Sequence, residues 1–159
     1  MSTNQNEYDV VVLKVIDGDT VDVDIDLGFG VMLKDERVRI MGIDTPESRT
    51  SDRVEDLFGE AAKSRLKELM KNGAKLITTE DKNGEDMKGK FGRILGDFKV
   101  DGRLVTEIMI EEGHCVPYFG GSKEEIQAQH MKNRDRLLAE GIVSQEDYLK
   151  AVKLMEDKD

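Results

Sequence analysis

The chain has 159 residues, 38% of them apolar and 36% charged, which suits one domain with a hydrophobic core of its own. No run approaches the roughly 18 apolar residues of a membrane helix, and the lone Cys115 excludes an internal disulfide. A net charge of −10 weighs against a phosphate-rich partner, yet residues 1–59 carry 6 Lys/Arg against 14 Asp/Glu while residues 60–100 carry 10 against 7, so a local basic face remains open.

Along the chain, MSTNQNEYDV has neither the basic start nor the apolar stretch of a secretory signal, which implies a cytoplasmic setting, and residues 1–9 read as a tail. VVVLKVI, TVDVDID and RVRIMGI follow as β-rich segments with GFG between the second and third, a strand meander. From about Ser51 the period changes. Leu57, Ala61, Ala62, Leu66, Leu69 and Met70 recur at helical spacing, and Asn72-Gly73 supplies the stop. AKLITTE and RILGDFKV return to strand character, with DKNGEDMKGK and VDG as turns. GRLVTEIMI reads as a further strand, with a short helix over LVTEIMIEEG as the alternative. Ile126, His130 and Leu137 then share a helical face, and Ser144 with Asp147 forms a capping box opening a last helix over about 144–156. Short strands with one inserted helix and helices at the end suggest an α+β protein, a small closed β-barrel with helices packed on it.

Two strands are interrupted by oxygen-bearing side chains. Asp17-Gly18-Asp19-Thr20 breaks the first apolar stretch, and RIMGIDTPE ends its strand in Asp44-Thr45 before Pro46 and Glu47. Each alone is an ordinary turn. Together Asp19, Asp44 and Glu47 form a hard-oxygen set that suits calcium or magnesium, with room for waters and a substrate phosphate. Zinc would want His and Cys, and His114-Cys115, as strand neighbours, would point to opposite sides. Arg37 and Arg39 alternate with Val38 and Ile40 on one strand face, and GKFGR adds Lys90 and Arg93. The planar guanidinium fork binds phosphate oxygens in pairs. Asp22-Val23-Asp24-Ile25-Asp26 and Asp81-Lys82-Asn83-Gly84-Glu85 begin like calcium loops but fail at later positions, so they read as a wet strand face and a charged turn. His130 reads as a packed histidine ahead of a general base, and Met70 and Met109 as core.

IDGDTV, RIMGIDTPE, FGEAA, GKFGR and DGRLVTEIMIEEG, in this order, resemble the staphylococcal nuclease (thermonuclease) family over about Val10 to Ile142. The resemblance implies a five-stranded OB-fold barrel with three helices over residues 10–142, followed by a short helical extension at 143–159. It also implies calcium-dependent hydrolysis of DNA or RNA phosphodiester bonds that leaves 3′-phosphate ends. On this chain it makes Asp19 and Asp44 side-chain calcium ligands, Thr45 a backbone-carbonyl ligand, Glu47 the residue that orients or deprotonates water, and Arg39 and Arg93 the phosphate clamp. Lys90 is retained, Phe91 stands where the family often has a tyrosine, Gly89 replaces an acidic residue, and Tyr118 matches a tyrosine that flanks the base. The implied partner is DNA or RNA, with a monomer expected and no membrane. A non-catalytic nucleic-acid- or protein-binding barrel, or an acidic interaction module, is the rival. Retention of Asp19, Arg39, Asp44, Glu47 and Arg93 favours the enzyme.

Overall fold

A computed structural model of the protein describes residues 5–48, 50–79, 93–118 and 122–156. In chain order the elements are β1 (Gln5–Asp17), β2 (Thr20–Gly28), β3 (Val31–Ile40), β4 (Ile43–Asp44), α1 (Arg53–Met70), β5 (Ala74–Thr79), β6 (Ile94–Val100), β7 (Arg103–Leu104), α2 (Val105–Glu111), β8 (Val116–Pro117), α3 (Lys123–Ala139) and α4 (Gln145–Glu156). The sheet runs in the order β3-β2-β1-β5-β6-β7, and parallel pairing of Val38–Ile40 with Ile94–Gly96 joins β3 to β6. Five long strands therefore close into a ring. The architecture is the α+β, OB-fold-like barrel expected from the sequence.

Alternation explains the barrel wall. Val21, Val23 and Ile25 of β2 point inward and are buried, while Asp22, Asp24 and Asp26 point outward. Those outward carboxylates are answered by Arg37, Lys34 and the Gly28 amide, so this stretch is the wet face of a hairpin. Inside the ring Val38, Ile40, Leu76, Phe98 and Met109 form the core with Leu66 of α1. Each such side chain contributes roughly 1.5–3 kcal/mol by leaving water.

Helix α1 starts where Asp52 accepts from the Val54 and Glu55 amides, both at 3.0 Å, and stops where Gly73 adopts a φ of +101° and its amide returns to Met70 O. Phe58 on its other side belongs to a smaller core with Leu137 of α3, Val143 and Tyr148 of α4. Ser144 Oγ accepts from the Asp147 amide at 3.1 Å, so Ser144 caps the start of α4. Three expectations are corrected. Residues 5–9 are not tail but strand, because Gln5–Val10 pair with Ala74–Thr79. GRLVTEIMI is not one strand, because only Arg103–Leu104 pair with β6 and Val105 onward coils to bury Val105, Ile108 and Met109. His114 and Cys115 do not alternate on a strand. Both are buried in the link between α2 and β8. No helix among the described residues is long and apolar enough to cross a membrane.

Candidate active site

The two interrupted strands meet. Asp19, in the β1–β2 turn, accepts from Thr20 Oγ1 on Oδ1 and from Thr45 Oγ1 on Oδ2, both at 2.9 Å. Ser48 Oγ donates to Asp17, a second tie between the same two segments. The sequence separation of 26 between Asp19 and Thr45 is thus closed by side-chain hydrogen bonds. Close backbone approach makes this possible. A Cβ on Gly18 would stand 2.8 Å from Ala62 Cβ, and one on Gly59 would stand 2.5 Å from Glu47 C and 2.6 Å from Ser48 N. The FGEAA stretch of α1 therefore lies under both loops, with Phe58 turned to the small core. Glu55, one turn earlier on α1, accepts from the Glu47 amide at 3.1 Å.

Arg39 joins the cluster. Its Nη2 lies 3.3 Å from Asp19 Oδ2 and 3.3 Å from Ile43 O, and Nη1 donates to Ile40 O. Arg37, two residues away on the same face, instead forms a two-point contact with Asp22. The difference separates a guanidinium at the site from one that ties two strands. Arg93 is half-buried immediately before β6. Glu47 is exposed on the loop after β4. Tyr118 is exposed beside a cleft of about 730 Å³ that Met41, Gly42, Gly96 and Thr106 also line. Lys90 and Phe91 lie outside the described residues.

Asp44 has a partner that the sequence did not suggest. Its Oδ2 is 2.7 Å from His130 Nε2 on α3. A second, smaller cleft of about 140 Å³ is lined by Asp44, Thr45, Glu47, Glu55, His130 and Arg134. His130 is packed, as expected, and 8% exposed, but one of its nitrogens reaches the candidate ligand. The two residues are 86 positions apart, so no local pattern could have joined them.

The donor chemistry bears on which cation fits. Asp19, Asp44 and the Thr45 carbonyl are hard oxygens, and no group of three His, Cys, Asp or Glu side chains converges among the described residues. Such oxygens suit a hard cation rather than a closed zinc cage, which takes four His or Cys ligands. Burial pushes the Cys115 thiol up to about 12, with Asp19, Asp97 and Asp44 adding to the effect, so it stays a neutral core group. Burial also lowers the His114 pKa.

A closed strand ring carrying an Asp, Arg and Thr cluster at its strand ends defines an OB-fold-like barrel with a polar site at those ends. Residues 37–140 match the family model described as staphylococcal nuclease homologue, and the chain belongs to that family. Among similar proteins, Endonuclease YncB of Bacillus subtilis (strain 168) is 39% identical over 113 residues, covering 70% of this chain and 49% of its own. SPbeta prophage-derived endonuclease YokF of the same organism is 36% identical over 105 residues, 66% of this chain and 32% of its own. A thermonuclease of Staphylococcus intermedius is 30% identical over 112 residues, 70% of this chain and 61% of its own. The match thus spans half or less of the two Bacillus proteins.

Proposed function

We propose that the protein is a calcium-dependent nuclease that hydrolyses DNA or RNA phosphodiester bonds by in-line attack of water and leaves 3′-phosphate ends. The observation that carries this reading is the cluster in which Asp19 Oδ2 receives both Thr45 Oγ1 at 2.9 Å and Arg39 Nη2 at 3.3 Å, a carboxylate and a guanidinium sharing one point at the strand ends. Membership of the family supports it.

Asp19, Asp44 and the Thr45 carbonyl are assigned to hold calcium, which when bound supplies positive charge at the phosphate and eases formation of hydroxide. Arg39 and Arg93 bind the phosphate oxygens, whose negative charge counts most in the five-coordinate transition state. Glu47 accepts a proton from water as the water oxygen bonds to phosphorus. The P–O5′ bond opposite breaks, and the leaving oxygen takes a proton from solvent. Tyr118 offers a ring for the base, and Lys90 with Phe91 is assigned to the nucleotide side.

A supercoiled plasmid tests this directly. Nicking with calcium and none with chelator is expected. Strong cleavage in chelator, or cleavage restored by zinc and not by calcium, would reject the cation assignment. Retained nucleic-acid binding with no cleavage under any metal would leave a binding barrel of the same fold.

A further inference from the structure

His130 does more than fill space. It sits on α3 at 8% exposure, whereas the Asp44 side chain it meets is 45% exposed. An ionised carboxylate only accepts, so opposite it His130 Nε2 is the donor of the 2.7 Å bond. Three residues further along the same helix face, Asn133 Nδ2 donates to Cys115 O at 3.3 Å. Cys115 precedes β8, and β8 pairs Val116 with Asp44. Two side chains of one helix therefore grip one small two-stranded unit, one through its backbone and the other through the Asp44 carboxylate. The helix is also packed through Leu137, buried with Phe58 and Val143, so its docking does not rest on His130 alone. The contact to a half-exposed carboxylate sets where that carboxylate points.

We propose that His130 is a positioning residue that holds Asp44 Oδ2 and so presents the carboxylate to the cation in one orientation. This rests on the assignment of Asp44 as a ligand under the proposed function. A half-exposed aspartate on a two-residue strand has two soft torsions, and the buried imidazole removes that freedom before the cation arrives. Hydrogen bonds to ligating groups tune metal affinity, and their loss typically costs about 10-fold to 100-fold. Glutamine keeps a donor near the Nε2 position. Phenylalanine keeps the packing and loses the donor.

The test is calorimetric titration of calcium onto the full chain in the presence of a nucleoside 3′,5′-bisphosphate, with thermal unfolding recorded for every variant. His130→Phe is expected to weaken calcium binding about 10-fold, and His130→Gln to restore most of it. In an Asp44→Asn background His130→Phe should cause no further loss, since the two residues act as a unit. Should His130→Phe not fold, His130→Asn, whose amide falls short of the Nε2 position, takes its place. Wild-type calcium affinity in the variant lacking the donor would overturn the proposal and leave the nuclease reading standing. Equal losses for Phe and Gln that persist with Asp44→Asn would overturn it in favour of a purely structural role. Absence of calcium binding by the wild type would overturn both readings.

Discussion

Gly59→Ala adds one methyl group, alters no proposed ligand, and should slow the site. The added Cβ would stand 2.5 Å from Glu47 C and 2.6 Å from Ser48 N, where non-bonded carbon pairs prefer about 3.5–4.0 Å. The neighbour is backbone, so the loop carrying Glu47 has to retreat by about 1 Å. Overpacking costs about 1–3 kcal/mol, and alanine in a helix interior recovers about 0.5–1 kcal/mol of it. The net loss of stability is thus about 0–2.5 kcal/mol, too small to unfold a typical domain. A misplacement of about 1 Å at a reacting group costs about 10²-fold in rate. Gly102→Ala is the control. Its φ of +80° makes alanine strained, but nothing lies within 4 Å of the added carbon. Turnover on plasmid DNA and thermal unfolding are measured for both. Gly59→Ala should lose about 10²-fold in turnover, while Gly102→Ala loses stability alone. Wild-type turnover in Gly59→Ala would refute the claim that α1 sets the position of Glu47.

Arg39→Ala or Arg93→Ala should lower the cleavage rate by about 10²-fold to 10³-fold. Arg37→Ala should not, because its guanidinium serves Asp22, and equal losses for Arg37 and Arg39 would mean general attraction of the substrate. Glu47→Gln should keep calcium and nucleotide affinity within about several-fold yet lose most turnover, whereas Asp19→Asn and Asp44→Asn should weaken calcium binding itself, as calorimetry beside plasmid cleavage would show. Arg65 holds the Glu112 carboxylate below its ordinary range through contacts of 2.6 and 2.8 Å, so α1 and the end of α2 are tied by charge. A lowered folded pKa means stability that is present above the unfolded value of 4.5 and is lost as pH falls through the folded one. With Glu112 37% exposed, solvent screening limits this to about 1 kcal/mol or less, and Glu112→Gln should flatten that acid limb in pH-dependent unfolding.

Legibility in the sequence followed the range of each interaction. Alternation in TVDVDID and the helical period from Leu57 to Met70 are local, and both held, since burying one face of a strand or helix needs no knowledge of its partner. GRLVTEIMI allows a strand or a short helix because its apolar residues fit either period, and only the depth available at Val105, Ile108 and Met109 decides for the helix. Residues 5–9 are polar enough to read as tail, yet pairing with β5 holds their backbone. At the site, the residue types were legible and several of the joins were not. Asp19 and Thr45 could be grouped because both end strands with oxygen. Nothing local says that His130 donates to Asp44, that Glu55 accepts from the Glu47 amide, or that Arg39 and not Arg37 reaches Asp19.

Those joins bear on how an acidic chain would hold the proposed site for a polyanion. Asp22 and Asp24 of the β2–β3 hairpin face outward and are matched there by Arg37 and Lys34. Asp19 is met by Arg39 and two hydroxyls, and Asp44 by His130. Each carboxylate proposed to meet a cation thus already has a donor, which holds its negative charge in place until a stronger positive charge replaces or shares it. Glu47 differs. Its backbone is fixed by Glu55 and by the close approach of Gly59, while its side chain is left exposed. The proposed ligands are thus held through their side chains and the proposed base through its backbone, and this division of constraint is what the Gly59 and His130 substitutions probe from opposite sides.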